Sequence, residues 1–194
     1  MATHKVIITG TGRAGTTFLV ELLTRLGLDT GYSIDSLATD PVSSAGLEQP
    51  GWEREDSPYI VKSPLIAGSL HYAMRMADLV IDHAFIPMRP LREVVASRAR
   101  VEKDGGDRPG GPVFEGPLEQ QACEHARQFH QLMMALARYD IPHTLLEFPR
   151  LVEDESYCCS QLAPVLESKD TERFGEAFAA SARPTLVHSF RTVD

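Results

Sequence analysis

Three short stretches of this 194-residue chain carry side chains able to hold an anion. The most informative runs Val6-Ile7-Ile8-Thr9-Gly10-Thr11-Gly12-Arg13-Ala14-Gly15-Thr16-Thr17-Phe18-Leu19: an apolar strand, a turn rich in glycine, then a helix. Glycines let a backbone take positive φ and bring its N–H groups close to a ligand, and a helix beginning near Gly15 aims its positive dipole end at the same spot. Arg13 adds a full charge, and Thr16 and Thr17 add hydroxyls, so the turn predicts a phosphate-bearing guest. In the second stretch, His83 to Arg98, a strand ends at Arg89 and a helix starts at Pro90, a residue suited to a first helical position. Arg89 stands where Ser, Thr, Asp or Asn normally caps the free amides, which points to an external anion in that role. The third, Tyr59-Ile60-Val61-Lys62-Ser63-Pro64, is a short β-branched strand ending in a lysine, with a helix starting at Pro64.

The spacing Gly10-x4-Gly15 fits a P-loop, but Thr16 occupies the place of the lysine that a nucleoside-triphosphatase needs, leaving Arg13 to supply the charge. Gly12-Arg13-Ala14-Gly15-Thr16-Thr17-Phe18 resembles the 5′-phosphosulfate loop of the sulfotransferases. Arg89 and Ser97 resemble that family's pair for the 3′-phosphate, an arginine at a strand end and a serine eight residues on, roughly two helical turns away. Lys62, followed closely by Pro64, resembles the family's catalytic lysine in its Lys-x-Pro context. The resemblance implies 3′-phosphoadenylyl sulfate (PAPS) as sulfuryl donor. Gly12, Arg13, Ala14, Gly15, Thr16 and Thr17 would lie around its 5′-phosphosulfate, Arg89 and Ser97 would hold the 3′-phosphate, and Lys62 and Arg13 would serve the bridging oxygen. A hydroxyl or amine of a small molecule or glycan would be the acceptor.

Two features depart from the family. Cytosolic members place a histidine base two residues after the lysine, where this chain has Pro64; other members use a carboxylate beyond the first helix. Asp35 lies at about that distance, with Asp29 and Glu48 as rivals. The glycine-rich basic loop that closes over the 3′-phosphate in cytosolic members has no counterpart in residues 181–194, where Arg183 is the candidate substitute.

These groups need a scaffold. Strands at about 5–9, 59–62, 83–89 and 143–147 alternate with helices at about 15–27, 64–77, 90–103, 118–139 and 156–167. The alternation predicts an α/β fold, a three-layer parallel sheet with helices on both faces, formed as one domain over residues 1–194. Such a sheet binds ligands at the carboxyl ends of its strands, where the glycine turn, Lys62 and Arg89 all fall. The long helix predicts a core-facing stripe of Leu118, Ala122, Ala126, Phe129, Leu132, Met133, Leu136 and Ala137. Segments near 40–58 and 104–117, rich in proline and glycine, predict mobile loops walling or closing an acceptor pocket.

A formal net charge of −8 argues against nonspecific nucleic-acid or membrane-surface binding, but not against a nucleotide held by a local cluster. With no bilayer-length apolar run and three cysteines in no disulfide or metal-ligand pattern, the expectation is a cytoplasmic protein with reduced thiols and no metal. Two other readings stand beside the sulfotransferase one. Leu79-Val80-Ile81-Asp82 resembles a Walker B run, which favours a phosphotransferase using a nucleoside triphosphate and magnesium. A nucleotide-binding protein without catalysis is the other.

Overall fold

The computed structural model describes residues 2–40, 43–105, 114–184 and 187. Among the described residues four strands, β1 (Thr3–Ile8), β2 (Ile60–Lys62), β3 (Leu79–Met88) and β4 (His143–Glu147), form one sheet in the order β2-β1-β3-β4. Every neighbouring pair is parallel, with Ile8 opposite Lys62 and Phe85. Among the described residues, seven helices accompany the strands: α1 (Thr16–Arg25), α2 (Ile66–Met76), α3 (Leu91–Gly105), α4 (Leu118–Arg138), α5 (Arg150–Glu153), α6 (Glu155–Leu162) and α7 (Ser168–Ser181). Parallel strands must be joined by crossovers, so alternation of strand and helix along the chain becomes layering in space. The α/β three-layer fold is as the sequence predicts.

Strand residues alternate between the two faces, and the core divides accordingly. Val6, Ile8, Phe85 and Leu146 pack with α1, α6 and α7 on one face, whereas Ile7, Val61, Ala84 and Ile86 pack with α2 and α4 on the other. No helix among the described residues is long and apolar enough to cross a membrane.

Besides the short α5, which the sequence does not predict, three elements differ from expectation. β3 begins at Leu79, four residues early, because Leu79-Val80-Ile81 is itself a β-branched apolar run. The register between β1 and β3 shifts at Lys5 and Val6, which pair with Ile81 and His83, so Asp82 is the extra residue of a bulge. The buried face of α4 is not the predicted stripe throughout: Leu132, Ala135 and Leu136 are buried, but nearer its start Gln121 and His125 are inside while Leu118 is exposed. That end of the helix packs on α3, which presents a buried arginine rather than an apolar surface.

The third is α7, absent from the expected elements. The Asp170 side chain accepts from the Glu167 N–H at 2.8 Å, starting the helix, and Phe174, Ala177, Phe178 and Ser181 recur at helical spacing on its buried side. Phe178 meets the Phe18 ring of α1 edge-on at 5.7 Å. The loop expected at 104–117 is helical to Gly105, and residues 106–113 lie outside the described set. If α7 belongs to the cooperative core, Phe174→Ala should cost about 3–5 kcal/mol. Urea denaturation followed by circular dichroism measures this, and a loss below 1 kcal/mol would show α7 to be an accessory element.

Candidate functional site

The chain leaves β1 at Ile8, and Thr9 pins the exit to both neighbouring strands. Its N–H donates to Phe85 O at 3.1 Å, and its hydroxyl donates to Ser63 O at 2.9 Å. Beyond it Gly10, Gly12 and Gly15 take φ of 137°, 71° and 87°, with Arg13 also left-handed at 55°. Gly12 has to be glycine on two counts, since a Cβ there would collide with the Arg98 guanidinium as well as strain the backbone. Gly15 precedes α1 without any side-chain cap, so the first amides of that helix are left to water or a ligand.

A cavity of about 470 Å³ opens over this turn. Arg13, Lys62, Arg89 and Arg98 all line it, contributed by the turn, the end of β2, the end of β3 and α3. Lys62, Arg89 and Arg98 are 2%, 8% and 3% exposed. Arg89 faces the turn, its guanidinium donating to Arg13 O at 3.0 Å and to Glu93 Oε2 at 3.2 Å while lying over the Phe148 ring at 5.0 Å. Arg98 donates to Thr11 O at 2.9 Å. Arg13 reaches the opposite way, donating from Nε to Ser97 Oγ at 3.1 Å and from the guanidinium to Ser43 O at 2.7 Å.

Lys62 is held through all three of its ammonium donors. Its Nζ donates to Gly46 O at 2.5 Å, to Glu48 Oε1 at 2.6 Å and to Thr17 Oγ1 at 3.2 Å. Gln49 fixes its backbone, the amide oxygen accepting from the Lys62 N–H at 2.7 Å and the amide nitrogen donating to Thr30 O at 2.8 Å. The Glu48 side chain is 37% exposed against 3% for the lysine, so the pair has a buried cation and a carboxylate that opens to the cavity.

Burial and mutual repulsion lower the pKa values of the cavity's cations. Burial, and then the charge of Arg13, pushes Arg98 down to about 10. Arg13 is lowered by burial and then by Arg89, and Lys62 by burial, with Glu48 pulling back and Arg13 and Arg98 adding to the decrease. Behind Arg98, burial and then that arginine push His125 down to about 4, which keeps its imidazole neutral at pH 7. An entering anion would relieve all these cations together.

Most of the residues singled out from the sequence meet here. Gly12, Arg13, Gly15, Thr16, Thr17, Lys62, Arg89 and Ser97 line the cavity. Ala14 is fully buried and does not. Asp35 sits exposed on a single turn of 3-10 helix, Ile34–Ser36, and is not part of the wall; Glu48 is. Asp29 is tied to the backbone N–H groups of Gly31 and Tyr59. Arg183 lines the cavity and pairs with the buried Glu21 at 3.1 Å.

Asp82, the residue expected to hold magnesium in a phosphotransferase, is six residues before the end of β3, roughly 20 Å along the strand from the carboxyl rim. Its carboxylate accepts from Tyr59 Oη at 2.9 Å and pairs with His4 at 2.8 Å. Arg98 and Phe148 line the cavity although the sequence reading did not single them out. Arg98 directly follows Ser97, but only the packing of α3 over the turn reveals its direction, and Phe148 falls into place because its N–H donates to Met88 O at 2.9 Å.

Neither a protein-family model nor a curated protein matches the chain. Among solved structures it is similar to the sulfotransferase STF1 from Mycobacterium tuberculosis H37Rv (type1 form), with a TM-score of 0.55 and 13% sequence identity. The match covers 92% of this chain and 71% of that one, and at this identity it establishes a sulfotransferase-like fold.

Gly12→Ala tests whether the turn and the buried arginine form a unit. The substitution should destabilise the protein by about 1–3 kcal/mol and weaken sulfate binding as Arg98 is displaced. Urea denaturation and calorimetric titration measure the two effects, and unchanged sulfate affinity would separate Arg98 from the anion site.

Proposed function

We propose that this protein is a sulfotransferase that moves a sulfuryl group from PAPS to a hydroxyl or amine of a small-molecule or glycan acceptor. The observation that carries the reading is the convergence of Arg13, Lys62, Arg89 and Arg98 on one uncapped glycine turn, within a cavity of nucleotide-compatible size. The sulfotransferase-like fold supports it. The donor set fits a doubly phosphorylated adenosine: hydroxyls and helix-start amides at Thr16 and Thr17, and a separate Arg89–Ser97 pair beside Arg13.

When bound, PAPS supplies a sulfuryl group attached to a good phosphate leaving group. The residues around it bind, orient and neutralise, as in phosphoryl transfer, where preorganised charge does most of the work. Lys62 Nζ, buried and held by Thr17 Oγ1, donates to the oxygen on which charge grows as the bond to sulfur breaks. Arg13 and Arg98 spread that charge. We assign the base to Glu48 rather than Asp35, because its carboxylate lies 2.6 Å from Lys62 Nζ and opens to the cavity, so it can take the proton of an acceptor that meets the sulfur there. Phe148, beneath Arg89, gives the nucleotide an aromatic wall.

Calorimetry with adenosine 3′,5′-bisphosphate tests the reading directly. Binding that is independent of magnesium, with no magnesium-dependent binding of ATP, is expected; the reverse pattern would replace this function with phosphotransfer. Lys62→Ala should lower turnover on the order of a hundredfold or more. The accompanying loss of bisphosphate affinity should be smaller, and equal losses in the two would demote Lys62 to a binding group.

The lowered pKa of Lys62 sets a pH dependence. Burial disfavours its charged form, so the proton is lost at lower pH than from an ordinary lysine, and an anion stabilises the charged form and draws the proton back. Bisphosphate affinity should therefore fall as pH rises toward the ordinary lysine value of 10.5, with proton uptake on binding across that limb. Lys62→Arg should move the limb to higher pH. A limb that stays in place in that variant would assign it to another group.

A further inference from the structure

Residues 43–49 cross the mouth of the glycine turn with carbonyl oxygens facing the cations. Ser43 O accepts from Arg13 at 2.7 Å, and Gly46 O accepts from Lys62 Nζ at 2.5 Å and from Thr17 Oγ1 at 3.4 Å. Lys62 and Thr17 are the donors assigned above to the donor substrate's anionic groups. The segment holds these carbonyls in place through unfavourable backbone angles: Ser44 has φ 52°, Gly46 φ 131° and Leu47 φ 64°. Leucine has no short polar side chain to offset a left-handed conformation, so its presence there is the least expected of the three.

We propose that the Gly46–Leu47 peptide is an anion-operated switch and that the Leu47 N–H is a further donor to the bound anion. In the free protein the Gly46 carbonyl stands in for an anion oxygen between Lys62 and Thr17; when an anion arrives, the peptide turns over and presents its N–H instead. Such a rotation changes only ψ of Gly46 and φ of Leu47. It carries φ of Leu47 from +64° to the negative values that L-residues favour, while glycine accommodates the change at 46.

The ends of the segment can stay where they are. Leu47 is 6% exposed within the core that contains Phe18 and Leu22, and Gln49 is bound to Lys62 and Thr30 on the far side. Asp40 holds the near side, its carboxylate accepting from the Ser43 N–H at 2.7 Å and its N–H donating to Ala45 O at 2.9 Å. The Leu47 N–H makes no hydrogen bond among the described residues, so the rotation gives up only the carbonyl's contacts, which the anion replaces. The switch rests on the reading of this cavity as an anion site, though not on the anion being a nucleotide.

The test uses nuclear magnetic resonance on the full isotope-labelled chain. The intraresidue HN–Hα Overhauser effect of Leu47, strong only at positive φ, should be strong in the free protein and lost at saturation with adenosine 3′,5′-bisphosphate, and likewise with sodium sulfate. Loss with sulfate but no binding of the bisphosphate would keep the switch and remove the nucleotide reading. Anion binding that shifts the Thr16 and Thr17 amides while the Leu47 effect persists would overturn the switch, as would failure of both anions to bind. Paired variants give an independent readout. Leu47→Ala and Leu47→Gly both lose the side chain, but only glycine relieves the left-handed conformation, so the glycine variant should bind sulfate about fivefold more weakly than the alanine variant. Equal affinities would overturn the switch.

Discussion

Repulsion among like charges is the constraint around which this structure is organised. Two unit charges 4 Å apart repel by about 4 kcal/mol at an effective dielectric of 20, and this protein gathers three arginines and a lysine around one turn. Carbonyl dipoles and carboxylates help to hold them there, among them Thr11 O for Arg98, Arg13 O and Glu93 for Arg89, Ser43 O for Arg13, and Gly46 O and Glu48 for Lys62. The turn therefore has two duties, accepting from buried guanidinium groups through Thr11 and Arg13 while leaving the start of α1 uncapped. Left-handed residues at Gly12, Arg13 and Gly15 are what let one short segment do both.

Strand order turns this constraint into a site. β1 is flanked by β2 and β3, and because all three run parallel, the glycine turn, Lys62 and Arg89 emerge at one rim. Thr9 locks the rim by bonding to both neighbours, and the Phe148 N–H extends the lock toward β4. A change in register at the other end, such as the bulge at Asp82, leaves these exits undisturbed. The same geometry explains why the aspartate that ends the apolar run Leu79-Val80-Ile81-Asp82 lies away from the cavity: what counts is which end of the strand it occupies.

Legibility in the sequence followed the range of the interactions. The glycine turn, the Lys62 strand end and the Arg89–Pro90 junction are local patterns of backbone chemistry, and the strand-helix alternation that arranges them is a local periodicity. Arg98, Phe148 and Glu48 owe their places to packing between elements distant in the chain. Glu48, a rival to Asp35 on sequence, meets Lys62 from a segment in which Ser44 and Leu47 take left-handed conformations that nothing in their residue types announces. Asp35 matched a distance along the chain, but the exposed turn that holds it keeps it off the cavity wall. The stripe expected on α4 failed at its beginning for a related reason: the neighbouring helix carries Arg98 on its buried side, and it is His125, not an apolar side chain, that α4 turns toward that arginine.

On the proposed function, an acidic chain built around a buried cationic cavity would also select the size of its anion. Charges separated by more than about 8 Å are largely screened at physiological ionic strength, so the net charge of −8 acts mainly on ligands that spread along the surface. A polyanion such as a nucleic acid would meet that acidic exterior along most of its length and gain the cavity at one point only. A small anion that enters meets Lys62, Arg89 and Arg98 behind low-dielectric walls, where attraction is strong and screening weak. Discrimination between the two needs no contact that reads the ligand's identity, because it follows from placing the positive groups inside and the excess carboxylates outside.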